Sequence, residues 1–188
     1  MRNWVHGHLL LPDLPAGQRA FFEWLRDCYR DIEIRSYKDH PEVREIVENY
    51  LTVSRPRPQQ CYANAFNLSC LDHEISYVVG YAQAFLPIVH AWNSFGDFHF
   101  DLTAEVALGN LKRFTSYASI YALSHPETMK VAGMCGVLGP EISDYYYHFV
   151  QDTKGIEHGK DKAVPEDRSV DYWQGPRNVL GEPKALQG

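Results

Sequence analysis

The chain has 188 residues, of which 45% are hydrophobic, 22% charged and 13% aromatic, and its formal net charge is −6. This length suits one hydrophobic core, and the apolar content excludes wholesale disorder. With 18 Lys and Arg against 24 Asp and Glu, the chain lacks the basic excess of a general nucleic-acid or anionic-membrane binder.

No apolar run approaches the ~18 residues of a membrane span. The start, Met1-Arg2-Asn3-Trp4-Val5-His6, does not lead into the apolar region of a secretory signal. A cytoplasmic protein, or one delivered into a host cell, is the expectation. Four cysteines, Cys28, Cys61, Cys70 and Cys135, form no C-x-x-C pair and are too sparse for a disulfide scaffold, so they read as free thiols.

Taken in chain order, a short strand-like run lies at Val5–Leu11. A helix follows over 17–30, because Phe21, Trp24, Leu25 and Cys28 recur at helical spacing. A second spans 41–51: Pro41 suits the first turn, Glu42 the positive end of the dipole, and Val43, Ile46, Val47 and Tyr50 form the apolar face. Ser54-Arg55-Pro56-Arg57-Pro58 then breaks the pattern, since each Pro pushes its predecessor out of the helical region. A third helix over 59–71 reads as buried rather than amphipathic, with no charge before Asp72. The period then changes to β-branched and aromatic runs at 75–82, 88–92 and 98–102. Helices followed by strands predict an α+β domain with an antiparallel sheet. Beyond it, 114–122 reads as a strand and 126–134 and 140–150 as helices. From Gln151 the composition shifts: thirteen of the last 38 residues are charged and eight are Gly or Pro. Residues 1–150 are thus expected to form one domain, and 151–188 a polar arm or flexible tail.

The chemistry concentrates in Gln59-Gln60-Cys61, His90-Ala91-Trp92 and Asp101-Leu102-Thr103. If Phe95-Gly96 is a two-residue hairpin loop, then Ser94 faces Asp97, Asn93 faces Phe98, Trp92 faces His99 and His90 faces Asp101. A His and an Asp then sit opposite on one face, with Cβ atoms about 4.5–5.5 Å apart. Phe98, Phe100 and Leu102 point to the other face and into the core. Cys61 falls in the first turn of the third helix, where partial positive charge and unpaired amides favour a thiolate. An imidazole beside it takes the thiol proton, a carboxylate fixes the imidazole tautomer, and the helix-start amides hold an oxyanion. Cys61, His90 and Asp101 therefore have the types required for covalent acyl chemistry. Gln60, next to the nucleophile, is the preferred side-chain oxyanion donor, with Gln59 as its alternative. Trp92 is read as a shield for the ion pair or a substrate wall.

The combination of a helix-borne Cys61, the Tyr77-Val78-Val79-Gly80-Tyr81 strand, His90-Ala91-Trp92 and Asp101-Leu102-Thr103 resembles the transglutaminase-like core of the papain-like cysteine superfamily. The resemblance covers roughly residues 58–104. Leu102 stands where that group usually has Pro, and the spacings are closer to compact bacterial or phage-borne members. The resemblance implies a papain/transglutaminase-like fold, with Cys61 as nucleophile, His90 as general base and acid, and Asp101 as orienting carboxylate. It also implies an amide hydrolase or acyltransferase that needs no cofactor and acts on a protein, peptide or small amide. A peptide, isopeptide or side-chain amide is favoured, with water as the second acceptor. The competing expectation is a non-catalytic binding protein that keeps the fold, in a phage or pathogen–host setting, with the abundant tyrosines on its interaction surface.

The remaining candidates have simpler readings. Cys28, Cys70 and Cys135 read as core thiols. His6 and His8 share a strand face but lack a third ligand, so no metal site is expected. His99 replaces His90 only in a slipped register. Tyr145-Tyr146-Tyr147 reads as a half-buried helix face, and Arg55 and Arg57 as solvated side chains.

Overall fold

The computed structural model describes residues 9–10, 12–136, 139–146 and 150. The strand-like run at 5–11, the pair His6 and His8, Tyr147 and the segment 151–188 lie wholly or mostly outside them. Leu9 and Leu10, the described part of that run, are not extended.

The elements in chain order are α1 (Ala16–Cys28), β1 (Arg30–Ile32), α2 (Pro41–Val53), α3 (Cys61–Leu71), β2 (Ser76–Gln83), β3 (Pro87–Phe95), β4 (Phe98–Phe100), β5 (Ser116–Leu123), α4 (His125–Cys135) and α5 (Ile142–Tyr145). They form an α+β fold around a five-stranded antiparallel sheet in the order β1-β5-β2-β3-β4. Several expected boundaries move: the strand expected over 88–92 runs from Pro87 to Phe95, and the one expected over 98–102 ends at Phe100. The helix expected over 140–150 begins at α5, and Tyr146 and Val150 beyond it are π-helical. Strand β1 was not anticipated: Arg30-Asp31-Ile32 is too short to show alternation, and β5 supplies its ladder through Arg30↔Ser119 and Ile32↔Tyr117.

Alternation along β2 divides the core. Tyr77, Val79 and Tyr81 pack with Trp24 and Leu25 of α1, Ala65 and Phe66 of α3, and Val131 of α4. Val78 and Ala82 lie on the other face, with Trp92 and Tyr117, covered by Ile32, Ile34 and Phe114. A third cluster joins Val43, Val47 and Tyr50 of α2 to Leu68, Phe98, Phe100 and Leu102. α3 contributes to both helix-side clusters, which is why its sequence carries no charge. Phe21 and Trp24 pack on Tyr146, and Tyr121 stacks on Tyr145 with centroids 4.3 Å apart, so Tyr145 and Tyr146 serve packing. Cys28, Cys70 and Cys135 are partly buried against the first cluster, and burial raises the Cys70 and Cys135 thiols.

The β3–β4 hairpin corrects the expected register. Its pairs are Phe95↔Phe98, Ser94↔His99 and Asn93↔Phe100, so the loop is Gly96-Asp97 rather than Phe95-Gly96. Gly96 has φ 54°, the positive value that the first position of a type II′ turn demands and that Phe95 would adopt only under strain. The slip is by two residues, which preserves every face. Carried onward, this register sets Trp92 opposite Asp101 and His90 opposite position 103. β4 stops at Phe100, before either pair forms.

Gly80 is the second fixed point. It pairs with His90 on β3 and with Ser119 on β5, where the ladder shifts at a bulge between Val79 and Gly80. A Cβ here would overlap the carbonyl of Ala118. Gly80→Ala is expected to cost about 3 kcal/mol, at the upper end of overpacking costs, measured by urea unfolding. A cost below about 1 kcal/mol would show that the bulge relaxes around a side chain.

Candidate active site

The site is built from the start of α3, the middle of β3 and the turn after β4. α3 begins at Cys61 with Gln60 as its N-cap, and no side chain caps it. Its first intrahelical bond runs from the Asn64 amide to the Gln60 carbonyl, at 2.8 Å. The amides of Cys61, Tyr62 and Ala63 precede that bond and are not spent on it. Cys61 itself is partly exposed. The preceding residue pair is held in a tight bend: Gln59 is left-handed at φ 62° and exposed, while Gln60 is half-buried.

Asn64, one turn into α3, holds that bend. Its side-chain oxygen accepts from the Arg57 amide at 2.9 Å, and its Nδ2 donates to the Arg57 carbonyl at 2.8 Å and to Thr103 Oγ1 at 2.9 Å. The proline-rich segment is thus tied both to the helix and to the turn that carries Asp101. The Arg55 and Arg57 residues are exposed, as expected of solvated cations.

His90 and Asp101 meet although they are not directly opposed in the ladder. His90 Nε2 lies 2.7 Å from Asp101 Oδ2, and both side chains are almost completely buried. The two-residue slip makes them diagonal neighbours on one face, within reach of their side chains. Because Nε2 donates to the carboxylate, Nδ1 is the nitrogen left for the sulfur. The Cys61 side chain adjoins this ring.

Asp101 is saturated. Its Oδ1 accepts from the Thr103 and Ala104 amides at 2.9 and 3.0 Å. Its Oδ2 accepts from His90 and from the Tyr117 hydroxyl, the latter at 2.9 Å. The chain turns at Asp101 into a helical segment with a π-helical turn over Thr103–Ala107, and the carboxylate caps it. A buried carboxylate needs this many donors to remain ionised without water.

Burial opposes charge on His90, yet its hydrogen bond to the Asp101 carboxylate and the charge of that carboxylate, aided by the neighbouring Cys61, outweigh it and hold the imidazole at about 9. Trp92 stacks on the ring with centroids 6.2 Å apart, and Phe114 approaches to 4.9 Å. Trp92 is 1% exposed, so it excludes water from the ion pair, one of the two roles expected for it, and is not a surface wall. Its Nε1 donates to His99 Nδ1 at 3.2 Å. Burial, opposed by Asp97 and aided by Arg35, keeps His99 below the usual histidine range, and a neutral ring is what accepts an indole N–H. His99 is therefore a partner of Trp92, and His90 is the imidazole at the sulfur.

The linear pattern assigns no role to three polar residues of this site: Asn64, Thr103 and Tyr117. Asn64 falls at an otherwise apolar helix position, which is itself a cue for a buried polar role. Tyr117 sits on β5, whose adjacency to β2 is a property of the fold alone. Among the described residues, no group of three or more His, Cys, Asp or Glu is placed to hold a metal ion, and no helix is long and apolar enough to cross a membrane. No protein-family model matches the chain, and neither the curated proteins nor the solved structures give a significant match.

The proton on His90 links the site to stability. The usual histidine value is about 6.5. With Cys61 replaced by Ala, the thiol no longer supplies the proton, and above about pH 6.5 the native state holds one from solvent that the unfolded chain releases. This contribution is complete below about pH 6.5 and is lost as pH rises toward about 9. Asp101→Asn removes its main support. The stability gap between Cys61→Ala and Cys61→Ala/Asp101→Asn, measured by urea unfolding, is expected to narrow by up to roughly 3 kcal/mol between those limits. A gap constant across that range would show that Asp101 does not hold the proton.

Proposed function

We propose that the chain is a cysteine-dependent hydrolase or acyltransferase acting on an amide bond, with a papain/transglutaminase-like core. One observation carries the reading: a partly exposed cysteine at an uncapped helix start adjoins an imidazole whose other nitrogen is bound to a buried carboxylate. An inert core thiol has no need of that company. The succession of a helix-borne Cys61, then strand-borne His90, then Asp101 at the end of a strand supports the core assignment.

The chemistry follows from the geometry. His90 takes the Cys61 proton on Nδ1 while Nε2 remains bound to Asp101. The sulfur attacks the carbonyl carbon, and the charge that develops on its oxygen is met by the amides at the start of α3. Gln60, the N-cap, stands beside these amides as the preferred additional donor. Collapse of the tetrahedral intermediate breaks the C–N bond, and His90 returns its proton to the departing amine, leaving an acyl-thioester on Cys61. Water as the second acceptor completes hydrolysis or deamidation, and a lysine amine completes cross-linking. The favoured donors are peptide, isopeptide and side-chain amides.

The activation of Cys61 by His90 is directly testable. Cys61 is expected to react with iodoacetamide near pH 6–7 at least tenfold faster than the other three cysteines, roughly the advantage of a paired thiolate over a free thiol. Exposure to a panel of activated acyl donors is expected to add one acyl mass to the wild type and none to Cys61→Ala. A Cys61 that alkylates no faster than a free thiol, or an acyl mass that survives in Cys61→Ala, would overturn the assignment.

A further inference from the structure

We infer that Tyr117 is a positioning residue of this site, acting through Asp101 to fix the ring of His90. The inference rests on reading Cys61, His90 and Asp101 as an acyl-transfer triad, and its observation is separate: the Tyr117 hydroxyl and His90 Nε2 share one carboxylate oxygen, at 2.9 and 2.7 Å.

The two oxygens of Asp101 are held differently. Oδ1 is fixed by two backbone amides, those of Thr103 and Ala104, which belong to the same turn and move with it. Rotation about the Cβ–Cγ bond bends those two hydrogen bonds and takes Oδ2 out of line with His90, so a further donor on Oδ2 resists it. Tyr117 reaches Oδ2 from another strand. Its backbone is paired on both sides, to Ala82 of β2 and Ile32 of β1. Its ring is set edge-on against Trp92 at 5.5 Å and Phe114 at 5.6 Å, so the hydroxyl has one place to go. Burial and the neighbouring carboxylate keep the phenol protonated and therefore a donor. Asp101 is fully buried and Tyr117 nearly so, and no water competes for Oδ2.

The consequence falls on the imidazole. With Oδ2 immobile, the proton of neutral His90 stays on Nε2, and Nδ1 keeps its lone pair toward Cys61. Without the hydroxyl, Oδ2 keeps an unpaired site in a dry interior, the carboxylate loses one of its restraints, and the other tautomer becomes populated. That tautomer carries its proton on Nδ1 and cannot accept one from sulfur.

The experiment uses the full chain and three proteins: wild type, Tyr117→Phe and Tyr121→Phe. Tyr121 also loses a buried hydroxyl, one bonded to the Pro140 carbonyl at 2.8 Å, and serves as the structural control. In Tyr117→Phe, iodoacetamide labelling of Cys61 at neutral pH is expected to fall roughly tenfold, the scale of one hydrogen bond to a charged group. Tyr121→Phe is expected to keep the wild-type profile. Imidazole nitrogen shifts, read above the His90 titration in a Cys61→Ala background, are expected to show the Nε2–H tautomer alone, and both tautomers once Tyr117→Phe is added. Should Tyr117→Phe fail to fold, 3-fluorotyrosine at 117 keeps the ring and hydroxyl while making a stronger donor, and is expected to move the His90 Nε2–H resonance. A fast wild-type Cys61 with an unchanged profile and tautomer in Tyr117→Phe, or an unmoved resonance with fluorotyrosine, would overturn the role of Tyr117. A slow wild-type Cys61 would instead overturn the triad reading beneath it.

Discussion

A carboxylate with no exposure to water sits at the centre of this fold, and everything around it is arranged to make that tolerable. Isolated in an apolar interior, an ionised Asp101 would cost many kcal/mol. It is kept by four donors that arrive from three places: two amides of its own turn, an imidazole from β3 and a phenol from β5. Each donor constrains a different element. The amides force the chain after β4 to turn into a helical segment, the imidazole fixes where β3 must be crossed, and the phenol fixes the approach of β5. The site is therefore a by-product of satisfying one buried charge, and the protonated state of His90 is the same statement seen from the other partner.

Gly80 and the brevity of β4 give that arrangement its space. Gly80 is the residue of β2 that faces His90, so no cross-strand side chain competes with the imidazole for the ground between them. On the other side of β3 the ladder with β4 has only three pairs. His90 thus lies where the sheet has no β4 neighbour, and the turn bearing Asp101 occupies the position that a longer strand would have taken. A bulge, a missing Cβ and a truncated strand are local departures from regular sheet, and all three meet at one histidine.

The sequence disclosed the site better than the path to it. The period-2 runs around Trp92 and Phe98 established which residues share a face, and faces survive a slip of two. The pattern alone puts the loop at Phe95-Gly96, but Gly-Asp is the better turn pair: the first position needs a positive φ, which Gly96 takes without strain. His90 and Asp101 were therefore brought together by a register that does not occur, since long side chains on diagonal positions reach each other as well as opposed ones do. Cys61 at a helix start was legible from the prolines before it. Strand β1 and Tyr117 were not legible, for a common reason: both depend on β5 lying between β1 and β2, and a pairing between strands so far apart in sequence leaves no periodic trace in either. The N-terminal histidines and the segment after Gln151 fall outside the described residues.

Asn64 gives the site a mechanical property. One side-chain amide grips both backbone groups of Arg57 and the hydroxyl of Thr103, and the amide of Thr103 in turn holds Asp101. The segment running up to the cysteine and the turn carrying the carboxylate are consequently tied together through one side chain. Loss of that one amide would therefore release the segment before the cysteine and the turn after β4 together.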